Sequence, residues 1–325
     1  MTKRVLFSAP YLLPVLESFR PVLEAAGLEL ITANVVERLS ESELLAYAGQ
    51  VDGVVCGDDP FSRRVLEAFA PRLKVVSKWG TGIDSIDRQA ASELGIVVGN
   101  TPGAFSHPVG DTVLAFILAF ARRLPWIDRE MKAGRWEKLP GRALRECTLG
   151  VIGVGRCGRE VLRRASGFGM RLLGNDIVPI PQEFVREVGV AMLPLASLLE
   201  QADFVSLNCD LNPTSRHLID ATAFRRMRPQ AVLVNVARGA VVDEPALIEA
   251  LRAGRLAGAA LDVFEQEPLP LDSPLRGFDN VLLAPHNANS SPEAWARVHR
   301  NTLRNLFRGL GLSVPSELEI DPTPG

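Results

Sequence analysis

The sequence contains few of the residues and patterns that mark several classes of protein. Cysteine occurs only four times in 325 residues, at spacings that fit neither a CxxC metal-binding pair nor a disulfide framework. We therefore expect reduced thiols, no bound metal ion and a cytoplasmic protein. The four cysteines are Cys56, Cys147, Cys157 and Cys209.

Neither sign of charge predominates, because 36 Lys and Arg residues face 38 Asp and Glu residues. This balance excludes a strongly basic nucleic-acid binder. The longest apolar run, residues 113–121, has about half the length that spans a bilayer. The apolar segment near the amino terminus meets Pro10 too early for the core of a signal peptide. We expect neither a nucleic-acid partner nor a membrane partner.

The remaining composition is that of a globular protein, with 47% hydrophobic and 23% charged residues. Its length suggests about two domains. Short apolar runs alternate with amphipathic segments, which predicts an α/β protein of two flavodoxin- or Rossmann-like, doubly wound parallel-sheet domains with a cleft between them. The predicted strands are residues 4–8, 29–32, 52–56, 74–77 and 96–99 in the first domain, and residues 149–153, 171–176, 204–208, 232–236, 258–262 and 281–284 in the second.

Two helical segments predict how the domains are connected. A long amphipathic helix, residues 107–133, follows the first series of strands. A helix over residues 291–309 follows the second series and has no strand left to extend, so we expect it to pack against the first domain. The first domain is therefore predicted to be discontinuous, and the two domains comprise residues 1–101 with 287–325, and residues 102–286.

A glycine-rich loop, GVGRCG at residues 153–158, follows the first strand of the second domain. In a dinucleotide-binding turn the first glycine makes the turn, the second admits the pyrophosphate, and the third lets the helix pack on the sheet. The helix N-terminus attracts the phosphates, and Arg156 adds a positive charge. Asp176 closes the next predicted strand, where a carboxylate binds the ribose hydroxyls of NAD. The predicted cofactor-binding residues here are Gly153, Gly155, Arg156, Cys157, Gly158 and Asp176.

Polar residues follow the last three predicted strands of the second domain. They are Arg238, Glu267 and His286. Because the carboxyl ends of the strands line the ligand crevice of an open α/β sheet, these side chains predict an active site. Each alone also fits a structural role, as an ion-paired Arg, a Glu flanking a helix or a His capping a strand. Beside a dinucleotide loop, the combination favours catalysis.

These motifs closely resemble the D-isomer-specific 2-hydroxyacid dehydrogenases, a family that includes phosphoglycerate, glycerate, glyoxylate/hydroxypyruvate and D-lactate dehydrogenases. The resemblance covers nearly the whole chain, and the motifs follow in the family's order and spacing. Besides the glycine-rich loop it rests on NVARGAVVDEPAL (235–247), ALDVFEQEPLP (260–270), NVLLAPHNANSS (280–291), KWGTGIDSID (78–87), NTPGA (100–104) and LNPTSRHLID (211–220).

The resemblance implies an NAD-dependent enzyme that interconverts a D-2-hydroxy acid and its 2-oxo acid. It assigns His286 as the general acid/base that protonates the carbonyl oxygen as hydride arrives from the nicotinamide, and takes the proton back during oxidation. Glu267 would pair with His286 and raise its pKa toward the working pH. Arg238 would bind the substrate carboxylate and polarise the carbonyl.

The resemblance also assigns the remaining site residues. Asp262 corresponds to the family position that contacts the nicotinamide carboxamide. A loop in the first domain would grip the substrate carboxylate, which makes that domain the substrate-binding domain and residues 102–286 the NAD-binding domain. We expect a homodimer through the long helix after Thr101. The residues of the carboxylate-binding loop are Lys78, Gly80, Thr81 and Gly82.

The substrate stays open between 3-phosphoglycerate and a smaller acid such as glycerate, hydroxypyruvate or glyoxylate. Phe105 stands where relatives often carry Asn, and Asn287 follows the predicted catalytic His where relatives carry a small residue. We therefore expect a pocket that admits an unusual acid. Five basic residues offer charge for a phosphate, although a solvated basic face explains them as well. They are Arg63, Arg64, Arg72, Lys74 and Lys78.

Two rival interpretations remain. Formate dehydrogenase belongs to the same superfamily, but it carries Gln where this chain has Glu267. An NAD(H)-sensing corepressor-like binding protein could retain the same Arg, Glu and His, although the sequence has no evident partner-binding segment. The other three histidines match no catalytic position, and we expect them to be surface or packing residues. They are His107, His217 and His299.

Overall fold

The structure, a computed structural model, describes residues 2–319. The chain divides into two compact units. The first unit combines the residues up to Ala104 with those from Ser291 onward, and the second is Phe105–Ser290. Within residues 2–319, no helix has both the length and the apolar character needed to cross a membrane.

The limits of the units lie a few residues beyond those expected from the sequence. The N–H of Asn287 donates to Oδ1 of Asp262 at 2.7 Å, which keeps it with the second unit.

Both units are parallel sheets flanked by helices, and the strands and helices alternate along the chain. The strands are β1 (Lys3–Phe7), β2 (Leu28–Thr32), β3 (Gly53–Cys56), β4 (Val75–Lys78), β5 (Val97–Gly99), β6 (Thr148–Ile152), β7 (Arg171–Asn175), β8 (Ala191–Met192), β9 (Phe204–Leu207), β10 (Val232–Asn235), β11 (Gly258–Leu261) and β12 (Val281–Leu283). The helices are α1 (Leu16–Ala25), α2 (Glu41–Leu45), α3 (Arg63–Phe69), α4 (Arg88–Glu93), α5 (Ser106–Arg122), α6 (Leu124–Lys132), α7 (Arg156–Gly167), α8 (Gln182–Val188), α9 (Leu195–Leu199), α10 (Ala221–Arg226), α11 (Glu244–Arg252) and α12 (Pro292–Gly309).

The first unit has the flavodoxin-like strand order β2-β1-β3-β4-β5, and all its strand pairs are parallel. Leu6, Val54 and Val76 pack with residues of α2, α3 and α4 on one face of the sheet. Successive strand residues point to opposite faces, and α12 covers the other face, where Oγ of Ser77 donates to the carbonyl oxygen of Thr302 at 2.7 Å. The helix that follows the last strand therefore packs on the first unit, as the sequence predicts.

The second unit has the Rossmann-like order β12-β11-β10-β9-β6-β7-β8. Leu233 of β10 packs in an apolar cluster with residues of α10 and α11. Its neighbours Val232 and Val234 pack in another cluster with residues of α5 and α7. Since the two clusters lie on opposite faces, the sheet is covered on both sides. The strand order reverses between β6 and β9, where such folds bind ligands at the carboxyl ends of the strands.

The single long helix predicted over residues 107–133 is wrong, because the structure breaks it at Arg123. This residue has a left-handed backbone (φ 54°) between α5 and α6. Pro125 lies in the first turn of α6, and a proline there cannot donate to the carbonyl of Ala121 as a continuous helix would require. That carbonyl accepts the N–H of Arg142 at 2.8 Å instead.

Candidate active site

The glycine-rich loop joins β6 to α7, and its glycines differ in their surroundings. A Cβ atom on Gly158 would lie 2.0 Å from the carbonyl oxygen of Gly153, so only glycine lets α7 begin this close to the strand. Gly153 has φ +86°, a conformation that glycine adopts readily. A Cβ on Gly155 would meet no protein atom within 4 Å. The second glycine therefore leaves open space above the loop, as a pyrophosphate requires.

Asp176 lies directly after β7 and contacts the glycine-rich loop. Its Oδ2 accepts the N–H of Val154 at 2.7 Å, and its Oδ1 accepts the N–H of Val178 at 2.9 Å. The carboxylate thus holds the loop while staying partly exposed. Together with the N-terminus of the twelve-residue helix α7, where the helix dipole attracts phosphate groups, these residues fit the binding of a dinucleotide.

His286 and Glu267 lie beyond the carboxyl ends of the adjacent strands β12 and β11. Nδ1 of His286 lies 2.9 Å from Oε2 of Glu267, and both side chains are mostly buried. Oε1 of the same carboxylate accepts the N–H of Phe264 at 3.0 Å. The glutamate is thereby fixed at one oxygen and bonded to the imidazole through the other. Such a pair orients a histidine for proton transfer.

The backbone of His286 is left-handed (φ 52°), which is unusual for a residue with a side chain. Asp262 holds this turn in place. Its backbone carbonyl accepts the N–H of His286 at 2.7 Å, and its two carboxylate oxygens accept the N–H groups of Asn287 and Ala288 at 2.7 and 2.9 Å. The side chain is fully buried, and burial raises the pKa of this carboxyl. In this structure Asp262 shapes the loop that carries the histidine.

Arg238 follows β10, the next strand in the sheet, and its Nη1 donates to the carbonyl oxygen of Ala237 at 2.9 Å. The amide of Asn235 binds the carbonyl oxygen of Arg238 at 3.0 Å. A Cβ on Gly239 would lie only 1.9 Å from the carbonyl carbon of Phe264. Glycine at this position therefore lets the Arg238 loop touch the loop that carries Glu267. The sequence analysis did not single out Gly239. A glycine directly after the arginine at the end of a strand could have indicated that two loops approach closely there.

In the first unit, the loop after β4 is joined to the segment after β5. Oγ1 of Thr81 donates to the carbonyl oxygen of Thr101 at 3.0 Å, and the side-chain amide of Asn100 donates to the carbonyl oxygen of Thr81 at 2.6 Å. Gly80 has φ +121°, in the region that favours glycine. The structure thus orders the predicted carboxylate-binding loop within its own unit.

Lys78 is buried, with its Nζ 3.0 Å from Oδ1 of Asp58 and donating to the carbonyl oxygen of Trp79 at 3.0 Å. It is therefore engaged within the unit. Lys74 precedes β4 whereas Lys78 ends it, so the two Cα atoms are about 13 Å apart along the strand.

The structure does not gather the five basic residues into one phosphate site. Nη2 of Arg72 lies 3.2 Å from Oδ2 of Asp52, and Nη1 of Arg63 lies 2.8 Å from Oε2 of Glu93. These guanidinium groups already have carboxylate partners. The spread along β4 and these pairings argue against a shared phosphate site, and the burial of Lys78 also excludes it from a solvated basic face.

Comparisons with known proteins agree with this geometry. A family model described as the NAD binding domain of D-isomer specific 2-hydroxyacid dehydrogenases matches residues 114–288. Glyoxylate reductase of Korarchaeum cryptofilum (strain OPF8) is 42% identical over 266 residues, covering 80% of this chain and 80% of that protein. D-3-phosphoglycerate dehydrogenase of Methanocaldococcus jannaschii is 40% identical over 285 residues, 86% of this chain but 53% of that protein.

Among solved structures, that of a glyoxylate reductase from Paecilomyes thermophila superimposes with a TM-score of 0.84 at 28% sequence identity. The match covers 98% of this chain and 99% of that one. The similarity therefore extends over both units, including the strands that carry the histidine, the glutamate and the arginine.

Proposed function

The chain belongs to the D-isomer-specific 2-hydroxyacid dehydrogenase family, and we propose that it uses His286, Glu267 and Arg238 to reduce a small 2-oxo acid that carries no phosphate. Family membership makes it an NAD-dependent oxidoreductase that interconverts a D-2-hydroxy acid and its 2-oxo acid. The comparisons give no support to the corepressor-like alternative. The observation that carries the proposal is the 2.9 Å contact between Nδ1 of His286 and Oε2 of Glu267.

In the proposed reaction the imidazole of His286 donates a proton to the carbonyl oxygen of the 2-oxo acid and accepts it back during oxidation. Glu267 favours the protonated imidazole, because a carboxylate within hydrogen-bond distance stabilises the cation. The guanidinium of Arg238 binds the substrate carboxylate through two parallel hydrogen bonds. The loop of Lys78, Gly80, Thr81 and Gly82 in the first unit stays a prediction for binding a substrate carboxylate, which rests on the resemblance to the family.

The residues that would hold NAD are those of the glycine-rich loop and Asp176. The open space at Gly155 and the N-terminus of α7 suit the pyrophosphate. The Asp176 carboxylate suits the adenine ribose hydroxyls, and Asp262 lies beside the catalytic turn at the end where the family places the nicotinamide carboxamide. When bound, the reduced cofactor supplies the hydride.

Four of the five basic residues considered for a phosphate already have partners within the first unit, which supports a substrate without phosphate; they are Arg63, Arg72, Lys74 and Lys78. Glyoxylate is the smallest 2-oxo acid that offers the carboxylate and carbonyl this site would recognise, and hydroxypyruvate is a small relative that adds a hydroxymethyl group. The similarity to a glyoxylate reductase over 80% of both chains supports the same choice. The match to the phosphoglycerate dehydrogenase is of comparable identity but covers about half of that protein.

A panel of 2-oxo acids with NADH tests the substrate proposal. We expect kcat/KM for glyoxylate or hydroxypyruvate to exceed that for 3-phosphohydroxypyruvate by at least ~10-fold, about 1.4 kcal/mol of transition-state binding. A preference for the phosphorylated acid, lost in Arg64→Ala, would establish a phosphate site instead. Turnover of none of these acids would contradict the proposal as a whole.

We also propose that the protein is a cytoplasmic homodimer. Helix α6 has no buried residue, although Leu124, Met131 and the following Trp136 are large and apolar, with Trp136 82% exposed. Exposed apolar side chains on one amphipathic helix fit an interface between copies. Light scattering should give twice the chain mass, and a monomer at micromolar concentration would contradict the proposal.

A further inference from the structure

A second histidine–glutamate pair lies near the first, and its histidine is one that the sequence analysis expected to be a surface or packing residue. Nε2 of His217 lies 2.8 Å from Oε1 of Glu265, which is an ion-pair distance, although the angles are not those of a hydrogen bond. His217 belongs to the loop after β9, and its backbone is left-handed (φ 50°). Glu265 is two residues before Glu267. The pair therefore joins the loop after β9 to the loop that carries the glutamate partner of His286.

The loop after β10 is tied to the same pair. The N–H of His217 donates to the carbonyl oxygen of Ala240 at 2.8 Å. The N–H of Glu244 donates to Oε1 of Glu265 at 3.3 Å, and the N–H of Glu265 donates to Oε2 of Glu244 at 3.1 Å. Three loops that follow adjacent strands are thus joined by the backbone N–H of His217 and by the side chains of His217, Glu265 and Glu244. Arg238 lies in the second of these loops and Glu267 in the third.

His217 lies beside two carboxylates. Glu244 and Glu265 bring two carboxylates together, and burial, with the Glu265 charge adding to it, raises the pKa of the Glu244 carboxyl. Among the described residues 2–319, no Lys or Arg side chain forms an ion pair with Glu244 or Glu265, and the imidazole of His217 is the basic side chain that lies beside them.

We propose that His217 and Glu265 are positioning residues, which hold the loop of Arg238 against the loop of Glu267. This inference rests on the proposed function, since its consequence is the placement of the guanidinium that binds the substrate carboxylate. The two loops touch at Gly239 and Phe264, where a Cβ atom on Gly239 would find no space. Loss of the contact between His217 and Glu265 should let the loops move apart at this point and displace Arg238 relative to Glu267, while the NAD-binding loop keeps its own support from Asp176.

The test compares His217→Asn with His107→Asn. His107 provides the matched control, because it forms a similar pair in the same unit, with Nδ1 3.0 Å from Oε2 of Glu160. In His217→Asn we expect KM for glyoxylate to rise at least ~10-fold with a smaller fall in kcat, and an unchanged Kd for NADH. His107→Asn should behave as the unaltered protein. Equal kinetics in both variants would overturn the proposal.

Hydrogen exchange supplies a readout that needs no substrate. Backbone amides of residues 237–244 should exchange faster in His217→Asn than in the unaltered protein or His107→Asn. Unchanged exchange would overturn the positioning role even if the enzyme is active. If the unaltered protein reduces no 2-oxo acid, the proposed function fails and the exchange result still decides the role of the pair.

A double-mutant cycle tests whether the two residues act together. If His217 and Glu265 act as a pair, replacing both should have no larger effect than replacing one. The double variant His217→Asn with Glu265→Gln should therefore accelerate hydrogen exchange of residues 237–244 no more than the single variant with the larger effect. Additive effects would contradict a paired role. His217→Gln, which keeps a side-chain N–H near the carboxylate, should recover part of the loss, and this rescue guards against a general effect on folding.

Discussion

Oε2 of Glu267 lies 2.9 Å from Nδ1 of His286, while Oε1 of the same carboxylate accepts the N–H of Phe264. The backbone bond fixes the carboxylate, so the imidazole is held at Nδ1 and proton exchange with a substrate is left to Nε2. The buried carboxylate of Asp262 holds the backbone turn that contains His286. The histidine is therefore supported from its side chain and from its backbone.

Replacing Glu267 by Gln tests the electrostatic part of this arrangement. The amide keeps the size of the side chain but does not favour the imidazolium. In the oxidation direction His286 must be neutral, so the acid limb of the kcat/KM profile should move to lower pH by about one unit. In the reduction direction the limb that falls with rising pH should move the same way. Glu249→Gln, on the exposed face of α11, is the control, and an unmoved profile in Glu267→Gln would assign the glutamate a different role.

Gly155→Ala separates cofactor binding from folding. A Cβ on Gly155 meets no protein atom, so the melting temperature should stay within about 1–2 °C of the unaltered value. The methyl group would occupy the space that a pyrophosphate needs, and Kd for NADH should rise at least ~10-fold. Gly167→Ala, whose Cβ also meets nothing, should leave NADH affinity unchanged. Equal affinities in the two variants would show that the cofactor does not approach the loop at Gly155.

From the carboxylate of Asp176 we expect the enzyme to prefer NADH to NADPH. A 2′-phosphate beside this carboxylate would place two anions together, so kcat/KM with NADH should exceed that with NADPH by at least ~10²-fold. Asp176→Asn removes the charge and keeps an oxygen acceptor for the N–H of Val154. It should reduce the preference at least ~10-fold, mainly by improving the use of NADPH. Comparable use of both coenzymes by the unaltered protein would contradict this assignment.

Because of His299, we expect the free energy of unfolding to depend on pH. It is buried in the first unit, where its Nδ1 accepts the indole N–H of Trp79 at 2.9 Å, and burial lowers its pKa to about 4. Between about pH 6.5 and pH 4 the unfolded chain binds a proton that the folded chain does not. Stability should therefore fall as the pH falls through this window.

In His299→Asn the decrease in melting temperature from pH 7 to pH 4.5 should be smaller than in the unaltered protein, by a few degrees. His107→Asn, which removes a side chain that is 61% exposed, should retain the original pH dependence. Parallel curves for the unaltered protein and His299→Asn would show that His299 does not contribute.

The sequence predicted the two sheets and the site largely from local signals. The glycine-rich loop, Asp176 and the strand-end residues are recognisable because each follows a short apolar run of β-forming residues. Pro125 indicated the break at Arg123, since a proline cannot continue a helix. The apolar face persists on both sides of the break, and it therefore suggested one long helix. The two-residue edge strand β8 is too short for any pattern of alternation.

The contacts that join loops could not be predicted in the same way. The pairing of His217 with Glu265 links residues 48 positions apart whose strands lie in one sheet only after folding. The burial of Lys78 beside Asp58 is likewise a tertiary contact. The sequence analysis considered Lys78 for binding a phosphate, but in the structure its amino group already pairs with a carboxylate. Such contacts depend on the order of strands, which neither periodicity nor residue type specifies.

The most direct test of the account is the activity of His286→Ala with NADH and glyoxylate, measured with Kd for NADH from fluorescence titration and with His107→Ala as the control. Removing the positioned acid/base should lower kcat by at least ~10²-fold, while Kd for NADH stays within about twofold and the control retains full activity. A kcat within a few-fold of the unaltered value in His286→Ala would contradict the assignment of His286 as the group that transfers the proton.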